Sequence, residues 1–394
     1  MKAMKNIIGK PVTGENFFGR ERELQELRRI SEDEHVLLLA PRRVGKTSVL
    51  CALASEVEKD ASAVGVYVSV AAATNEAQFV EAVLHAIYTT KGGKRLKPNS
   101  IATWLRRHAG RVRGIKVAGT GVDVDTLTRE WQDEANSAFE GILPAPQPWL
   151  ILIDELPIFV LTIAKKDPTG ARVRSFLQWF RNLRQLPKAS TKLRFVLAGS
   201  VGLDSVTRRH SLTDTINDLR DWRLGPYDGE TADRFLAELG HSYRMELGLD
   251  LRRLICKHAE WLIPYHLQGI FSALRERAKG TPPSEPQLDA AIEDLLARRT
   301  YFSSWEERLR EAFGTPEDTF ARTMLALCAR DPNGVSASLL GQCLTGMVPD
   351  PIERGKTANW LLDVLQNDGY LVDQAGRWRF RSGLLRRYWE RHVL

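Results

Sequence analysis

Little in this sequence points outside the cell. Only four of its 394 residues are cysteines, Cys51, Cys256, Cys328 and Cys343. They are scattered and form no CxxC pair, so reduced thiols and a cytoplasmic location are expected. No apolar run approaches the ~20 residues that a membrane-spanning helix needs. The first ten residues lack the apolar core of a secretory signal. Internal repeats, a PD-ExK nuclease cluster, a protease triad and a zinc-ligand set are also missing. Any destructive chemistry would therefore have to come from a separate protein.

What is present is an ordinary globular composition, with 43% hydrophobic and 27% charged residues. At roughly 100–200 residues per domain, the length suggests two or three domains. The net charge of +7 is compatible with nucleic acid as a partner. The excess gathers in two stretches, Lys91 to Lys116 and Arg377 to Arg391. The first reads either as a nucleic-acid contact or as a solvated basic insertion.

The first ~225 residues alternate short apolar strands with helices. Strands are expected at 36–39, 64–70, 149–153, 193–198 and 219–224. Helices are expected at 20–30, from Thr47 to about Lys59, at 126–140 and at 171–186. Continuous apolar strands are buried on both faces, which predicts an α/β fold: a parallel sheet with helices on both faces. Gly114 to Val124 alternates like a hairpin. After Pro226 the pattern turns helical to about residue 310. From 316 it reads helix (317–329), helix (335–344), helix (355–367) and hairpin (Tyr370 to Phe380, turning at Ala375-Gly376), the succession of a winged helix-turn-helix. The expected domains are 1–226, a P-loop domain; 227–310, a helical lid; and 311–394, the winged helix.

The chemistry concentrates where the first strand ends. Ala40-Pro41-Arg42-Arg43-Val44-Gly45-Lys46-Thr47, with Ser48 following into a helix, is a phosphate-binding loop in its proper strand–loop–helix context. Backbone N–H groups of residues 43–47 and the helix dipole suit a β-phosphate. Gly45 permits close approach, Lys46 suits the β- and γ-oxygens, and the Thr47 hydroxyl suits Mg²⁺. Ala40 stands where a glycine is usual. A second motif, Leu150-Ile151-Leu152-Ile153-Asp154-Glu155, ends a neighbouring strand in two acids. Asp154 would reach the Mg²⁺ shell, and Glu155 would orient or activate the attacking water. Ser200 lies where a polar γ-phosphate sensor would stand, and it reads equally as a loop serine. Arg208 and Arg209 are candidate arginine fingers for a neighbouring subunit of a nucleotide-dependent homo-oligomer.

With these residues in view, the chain resembles the archaeal-type ATPases, a group close to the signal-transducing ATPases with numerous domains and to the AAA+ origin-recognition ATPases. The matching segments are Phe17 to Leu24 (FFGREREL), Ala40 to Thr47, Ile153-Asp154-Glu155, Leu197 to Ser200, Trp179 to Gln185, and the closing stretches Trp378 to Ser382 and Leu384 to Trp389. They span nearly the whole chain. The resemblance implies ATP or ADP with Mg²⁺ as ligands. It also implies that Phe17, Phe18, Gly19 and Arg20 wrap the adenine, and that Pro264-Tyr265 closes a lid over it. Leu262 replaces the glycine of the fuller proline motif. Pro264 also reads as a plain helix-starting proline.

The C-terminal module has two readings. Lys356 near the start of the third helix, and Arg377, Arg379 and Arg381 at period-two spacing along the wing, would meet the phosphates of double-stranded DNA. The module would then serve an ATP-driven switch or motor in a mobile-element, defence or DNA-processing system. The alternative is a signalling ATPase that gates a protein partner without touching DNA, since Trp360, Leu361, Leu362 and Leu365 leave few polar side chains on that helix. A third reading, a nucleotide-binding scaffold without turnover, is opposed by Glu155. No membrane partner is expected.

Overall fold

The structure is a computed structural model that describes residues 3–95, 124–167, 169–187, 191–199 and 203–393. Ser200, most of the basic stretch 91–116 and the expected hairpin at 114–124, apart from its last residue, lie outside the described residues.

Five parallel strands form the central sheet: β1 (His35–Leu39), β2 (Val64–Ser69), β3 (Trp149–Asp154), β4 (Leu193–Gly199) and β5 (Leu219–Arg223). Their order is β2-β3-β4-β1-β5. All six residues of β3 are buried, which requires cover on both faces of the sheet. Helices α1 (Glu21–Asp33), α2 (Lys46–Lys59), α3 (Glu76–Thr89), α6 (Leu156–Lys166) and α7 (Ala171–Gln185) pack against it. Two further helices, the short α4 (Lys91–Lys94) and α5 (Val124–Glu140), are described between α3 and β3 in the chain. The expected strands and the α1, α2, α5 and α7 helices appear within a few residues of their sequence positions. Helices α3 and α6, and the short α8 (Leu203–Arg209), appear in addition.

One expectation is corrected. The acid-bearing strand is not next to β1, because β4 pairs with both and separates them. Strand order follows from how the crossovers are wound, and no local pattern in the sequence encodes it.

Aromatic rings knit three helices together over this sheet. Phe79 of α3 lies 5.1 Å from Phe159 of α6 and 4.9 Å from Phe176 of α7, centroid to centroid. All three are fully buried. We expect Phe79→Ala to destabilise this half of the chain by about 3–5 kcal/mol, read as an earlier midpoint in a denaturant titration. An unchanged midpoint would remove this cluster from the core.

Beyond Pro226 the chain is helical: α9 (Gly229–Ser242), α10 (Leu249–Ala259), α11 (Pro264–Ala278), α12 (Glu285–Ala297), α13 (Arg299–Phe313), α14 (Glu317–Arg330), α15 (Ala337–Gln342) and α16 (Pro351–Asn367). A small antiparallel sheet of order β6-β8-β7 follows the same region, built from β6 (Val335–Ser336), β7 (Leu371–Gln374) and β8 (Arg377–Phe380). Helix α17 (Gly383–His392) ends the chain. The β7–β8 turn has Ala375 at φ 53° and Gly376 at φ 79°, the two positive values that a two-residue hairpin needs. Val335 and Ser336, expected as helix, instead pair with Trp378 and Arg377. Among the described residues, no helix is long and apolar enough to cross a membrane.

Candidate phosphate-binding site

Strand β1 delivers the loop 40–47, and α2 starts at Lys46. Gly45 precedes it at φ 101°, a backbone region that side chains rarely adopt, and a Cβ there would meet nothing within 4 Å. The requirement for glycine is thus conformational, with open space in front of the loop.

The two motifs meet despite the intervening strand. The Lys46 ammonium lies 2.7 Å from Asp154 Oδ1 and 3.0 Å from Glu155 Oε1. The Thr47 hydroxyl donates to Asp154 Oδ2 at 2.7 Å. Burial by itself would lower the Lys46 pKa, but the Asp154 and Glu155 carboxylates outweigh it and hold the pKa above its usual value. Burial likewise works to raise Glu155, and the charges of Lys46 and then Arg308 pull it down to about 2. Both groups are therefore ionised at neutral pH. Glu155 sits at φ 61°, a left-handed conformation that is uncommon for a residue with a side chain and that recurs at functional sites. Tyr67 of β2 donates to Asp154 Oδ2 at 3.4 Å.

The remaining loop residues face several ways. Arg42 lines the cavity, and its buried Nη1 has no hydrogen-bond partner among the described residues. Arg43, at φ 66°, lines it as well: its guanidinium donates to the Gly9 carbonyl and to Ser304 Oγ, both at 3.0 Å, over the Tyr265 ring. Ser48 Oγ accepts from Val12 N, which ties the N-terminal segment to α2.

Phe17, Phe18, Pro264, Tyr265 and Gln268 line the same cavity, together with Tyr227 and Phe235. Pro264 is the first residue of α11, so the helix-start and lid readings describe the same residue. Arg20 works as a clamp. It is 3% exposed, and its Nη2 donates to the Val44 carbonyl at 3.2 Å and the Gly225 carbonyl at 2.7 Å. It thereby joins the phosphate loop to the segment after β5.

The arrangement fits a magnesium nucleotide. Thr47 and Asp154 place oxygen donors beside a buried ammonium, next to an aromatic-walled slot. Mg²⁺ at such sites takes one or two protein oxygens and completes its shell with water and phosphate. No cluster of three or more His, Cys, Asp or Glu occurs among the described residues, and this geometry does not call for one.

Arg208 and Arg209 are engaged within the chain. Arg208 Nη1 lies 2.5 Å from Asp363 Oδ2 of α16. Arg209 Nη2 lies 2.7 Å from Glu317 Oε1, with its guanidinium 4.0 Å from the centre of the Trp360 ring. In this conformation they fasten α8 to the C-terminal module.

Of the wing arginines, Arg377 donates to the carbonyls of Asn333 and Gly334. Arg379 Nη1 lies 3.8 Å from Glu260. Arg381 follows the end of β8 and turns inward over Trp261, so it leaves the stripe that alternation predicts. Lys356 is exposed and paired with Glu353 at 2.8 Å.

Sequence reasoning missed Tyr67, Tyr227, Phe235, Asp368 and Arg308. None belongs to a local motif, and only the packing of distant elements brings them to the site.

Comparison with solved structures gives the fold. The chain is similar to a Walker-type ATPase of Pyrococcus abyssi at 15% identity and a TM-score of 0.60, covering 96% of this chain and 98% of that one. It is also similar to the ORC2 protein of Aeropyrum pernix, solved in ADPNP–ADP complexes, at 14% identity and a TM-score of 0.50, covering 95% of each chain. No protein-family model and no curated protein matches the sequence.

Proposed function

From a P-loop ATPase fold whose loop, acids and aromatic slot converge on one cavity, we infer that this chain binds ATP, hydrolyses it with Mg²⁺, and uses the nucleotide state to control its C-terminal module. The observation that carries the reading is the contact of Thr47 with Asp154 at 2.7 Å, with Lys46 held between the two acids. The adenine slot is lined by Phe17, Phe18, Pro264 and Tyr265. Bound at Thr47 and Asp154, Mg²⁺ would neutralise charge between the β- and γ-phosphates. Lys46 holds the phosphate oxygens. Glu155, ionised and close by, orients the attacking water and takes its proton. Turnover by the wild type, lost in Lys46 and Glu155 variants, is the test. The proposed domains are 1–226, 227–310 and 311–394, with the last as a winged helix.

For the output we propose contact with duplex DNA through the exposed start of α16 and the wing, using Lys356, Arg377 and Arg379. A salt series of fluorescence anisotropy on a short duplex tests it. Each phosphate contact contributes about −0.9 to the slope of log K against log salt, so these residues should give about −3. A specific observation favours the second reading, a protein partner. Much of the C-terminal basic stretch is already paired inside the chain, with Arg387 and Arg391 on Glu293 and Arg379 on Glu260. No duplex binding at about 50 mM salt would sink the DNA output and leave that reading.

A further inference from the structure

A second cavity adjoins the phosphate loop. Its walls are the C-terminal ends of β1, β4 and β5, helix α8, the C-terminal half of α16, and Arg381. It holds about 380 Å³, in the range of small-molecule sites. Pro41 lines both this cavity and the nucleotide cavity.

Three guanidiniums and two carboxylates line it, which leaves it cationic. Arg208 occupies both acids, at 2.5 Å from Asp363 Oδ2 and 3.6 Å from Asp204 Oδ2. Arg223 is exposed at the end of β5, and among the described residues it has no hydrogen-bond or ion-pair partner. Arg381 meets no carboxylate among them either. Its Nη2 makes only long contacts, 3.5 Å to the Gln366 carbonyl and 3.4 Å to the Leu371 carbonyl. Its buried Nε has no hydrogen-bond partner, and neither has the buried Asp204 Oδ1.

We propose that this cavity is a second ligand site, which takes a small phosphomonoester carrying a free hydroxyl. The inference goes beyond the ATPase reading and does not depend on turnover in the nucleotide cavity.

The argument is one of charge and of unfilled hydrogen bonds. A guanidinium stays protonated, so two of them facing one cavity without a carboxylate call for an anion. A phosphomonoester carries about −1.5 to −2 charges at neutral pH, enough to meet both, whereas a carboxylate would meet one. The planar fork also donates in pairs to phosphate oxygens. Asp204 Oδ1 can only accept, and a dianionic phosphate has no proton to give it. A hydroxyl on the ester supplies that donor, and the volume leaves room for a short polyol beyond the phosphate. Arg223 belongs to the sheet and Arg381 follows the wing, so the occupant would tie the C-terminal module to the ATPase sheet.

The test is calorimetry on the full chain, with inorganic phosphate and glycerol 3-phosphate as probes, with and without saturating adenylyl imidodiphosphate and Mg²⁺. Glycerol 3-phosphate should bind with a Kd of about 1 mM or tighter, within about threefold whether or not the nucleotide is present. Inorganic phosphate should bind about tenfold more weakly, because it lacks the hydroxyl. Arg223→Gln, at an exposed position, should weaken glycerol 3-phosphate by about tenfold or more, as should Arg381→Gln. Should Arg381→Gln fail to fold, Arg381→Lys keeps the charge without the planar fork, and it should still weaken the ester. Asp204→Ala should narrow the gap between the two probes. No binding of either probe at about 10 mM would overturn the proposal, as would affinities unchanged in the Arg223 and Arg381 variants. Binding that vanishes when the nucleotide is added would place the probe in the phosphate loop and overturn it equally. Inorganic phosphate binding as tightly as the ester would overturn the ester assignment and make free phosphate the occupant.

Discussion

Lys46→Ala will abolish ATP turnover and weaken ATP binding by about two orders of magnitude or more. A buried ammonium that donates to phosphate makes charge-assisted contacts, each contributing about 1.5–3 kcal/mol. Its removal also does a second kind of damage. Lys46 now lies 2.7 Å from Asp154 and 3.0 Å from Glu155. Without it, two acids face the incoming phosphates with one fewer cation between them, and like charges about 4 Å apart repel by about 4 kcal/mol at an effective dielectric of 20. Breaking a buried pair from one side costs about 3–5 kcal/mol of stability. The binding assay, with a fluorescent ATP analogue, therefore needs a check that the variant is folded, and Lys46→Arg serves as a charge-retaining companion. Near-normal hydrolysis by a folded Lys46→Ala protein would remove this cavity as the reaction site.

Glu155→Gln will separate binding from chemistry. The amide preserves size and a hydrogen-bonding oxygen but cannot take a proton from water. Turnover should fall by about 10²–10⁴-fold, the usual contribution of a general base. ATP affinity should hold or rise, because the phosphates gain a less negative neighbour. Single-turnover kinetics with radiolabelled ATP, alongside equilibrium binding, distinguishes the two effects. Wild-type turnover in this variant would leave Glu155 a structural acid. The backbone at Glu155, φ 61°, is retained by glutamine at the same cost, so a fold defect is not the expected explanation for lost activity.

The site was legible in the sequence to the extent that it is local. Ala40 to Thr47 and Leu150 to Glu155 are contiguous, and each carries a mechanism in its residue order. Apolar continuity located the first four strands, whereas β5 (Leu219–Arg223), exposed at Arg220, Asp221 and Arg223, reads as a less apolar strand stopped by Gly225-Pro226. Legibility ended where a residue's role depends on distant neighbours. Period-two spacing aligned Arg377, Arg379 and Arg381, yet β8 stops at Phe380 and Arg381 folds over Trp261. Arg208 and Arg209 read in the sequence as candidate arginine fingers for a neighbouring subunit, but in the fold they hold Asp363 and Glu317, residues more than a hundred positions away.

By itself, then, the chain's sequence determined that a strand would end in a phosphate loop, that a second strand would end in Asp154 and Glu155, and that parallel-sheet packing would carry both. Those outcomes depend on short-range backbone geometry and on burial. Tertiary structure alone decided that β4 stands between the two strands and that Thr47 still reaches Asp154. It also decided that Arg308 comes from a helix more than 150 residues beyond Glu155 to stand between that acid and Asp368. The physical reason is that a charge in water needs no partner, whereas a charge taken into the interior must find one, and only the folded chain settles which one it finds.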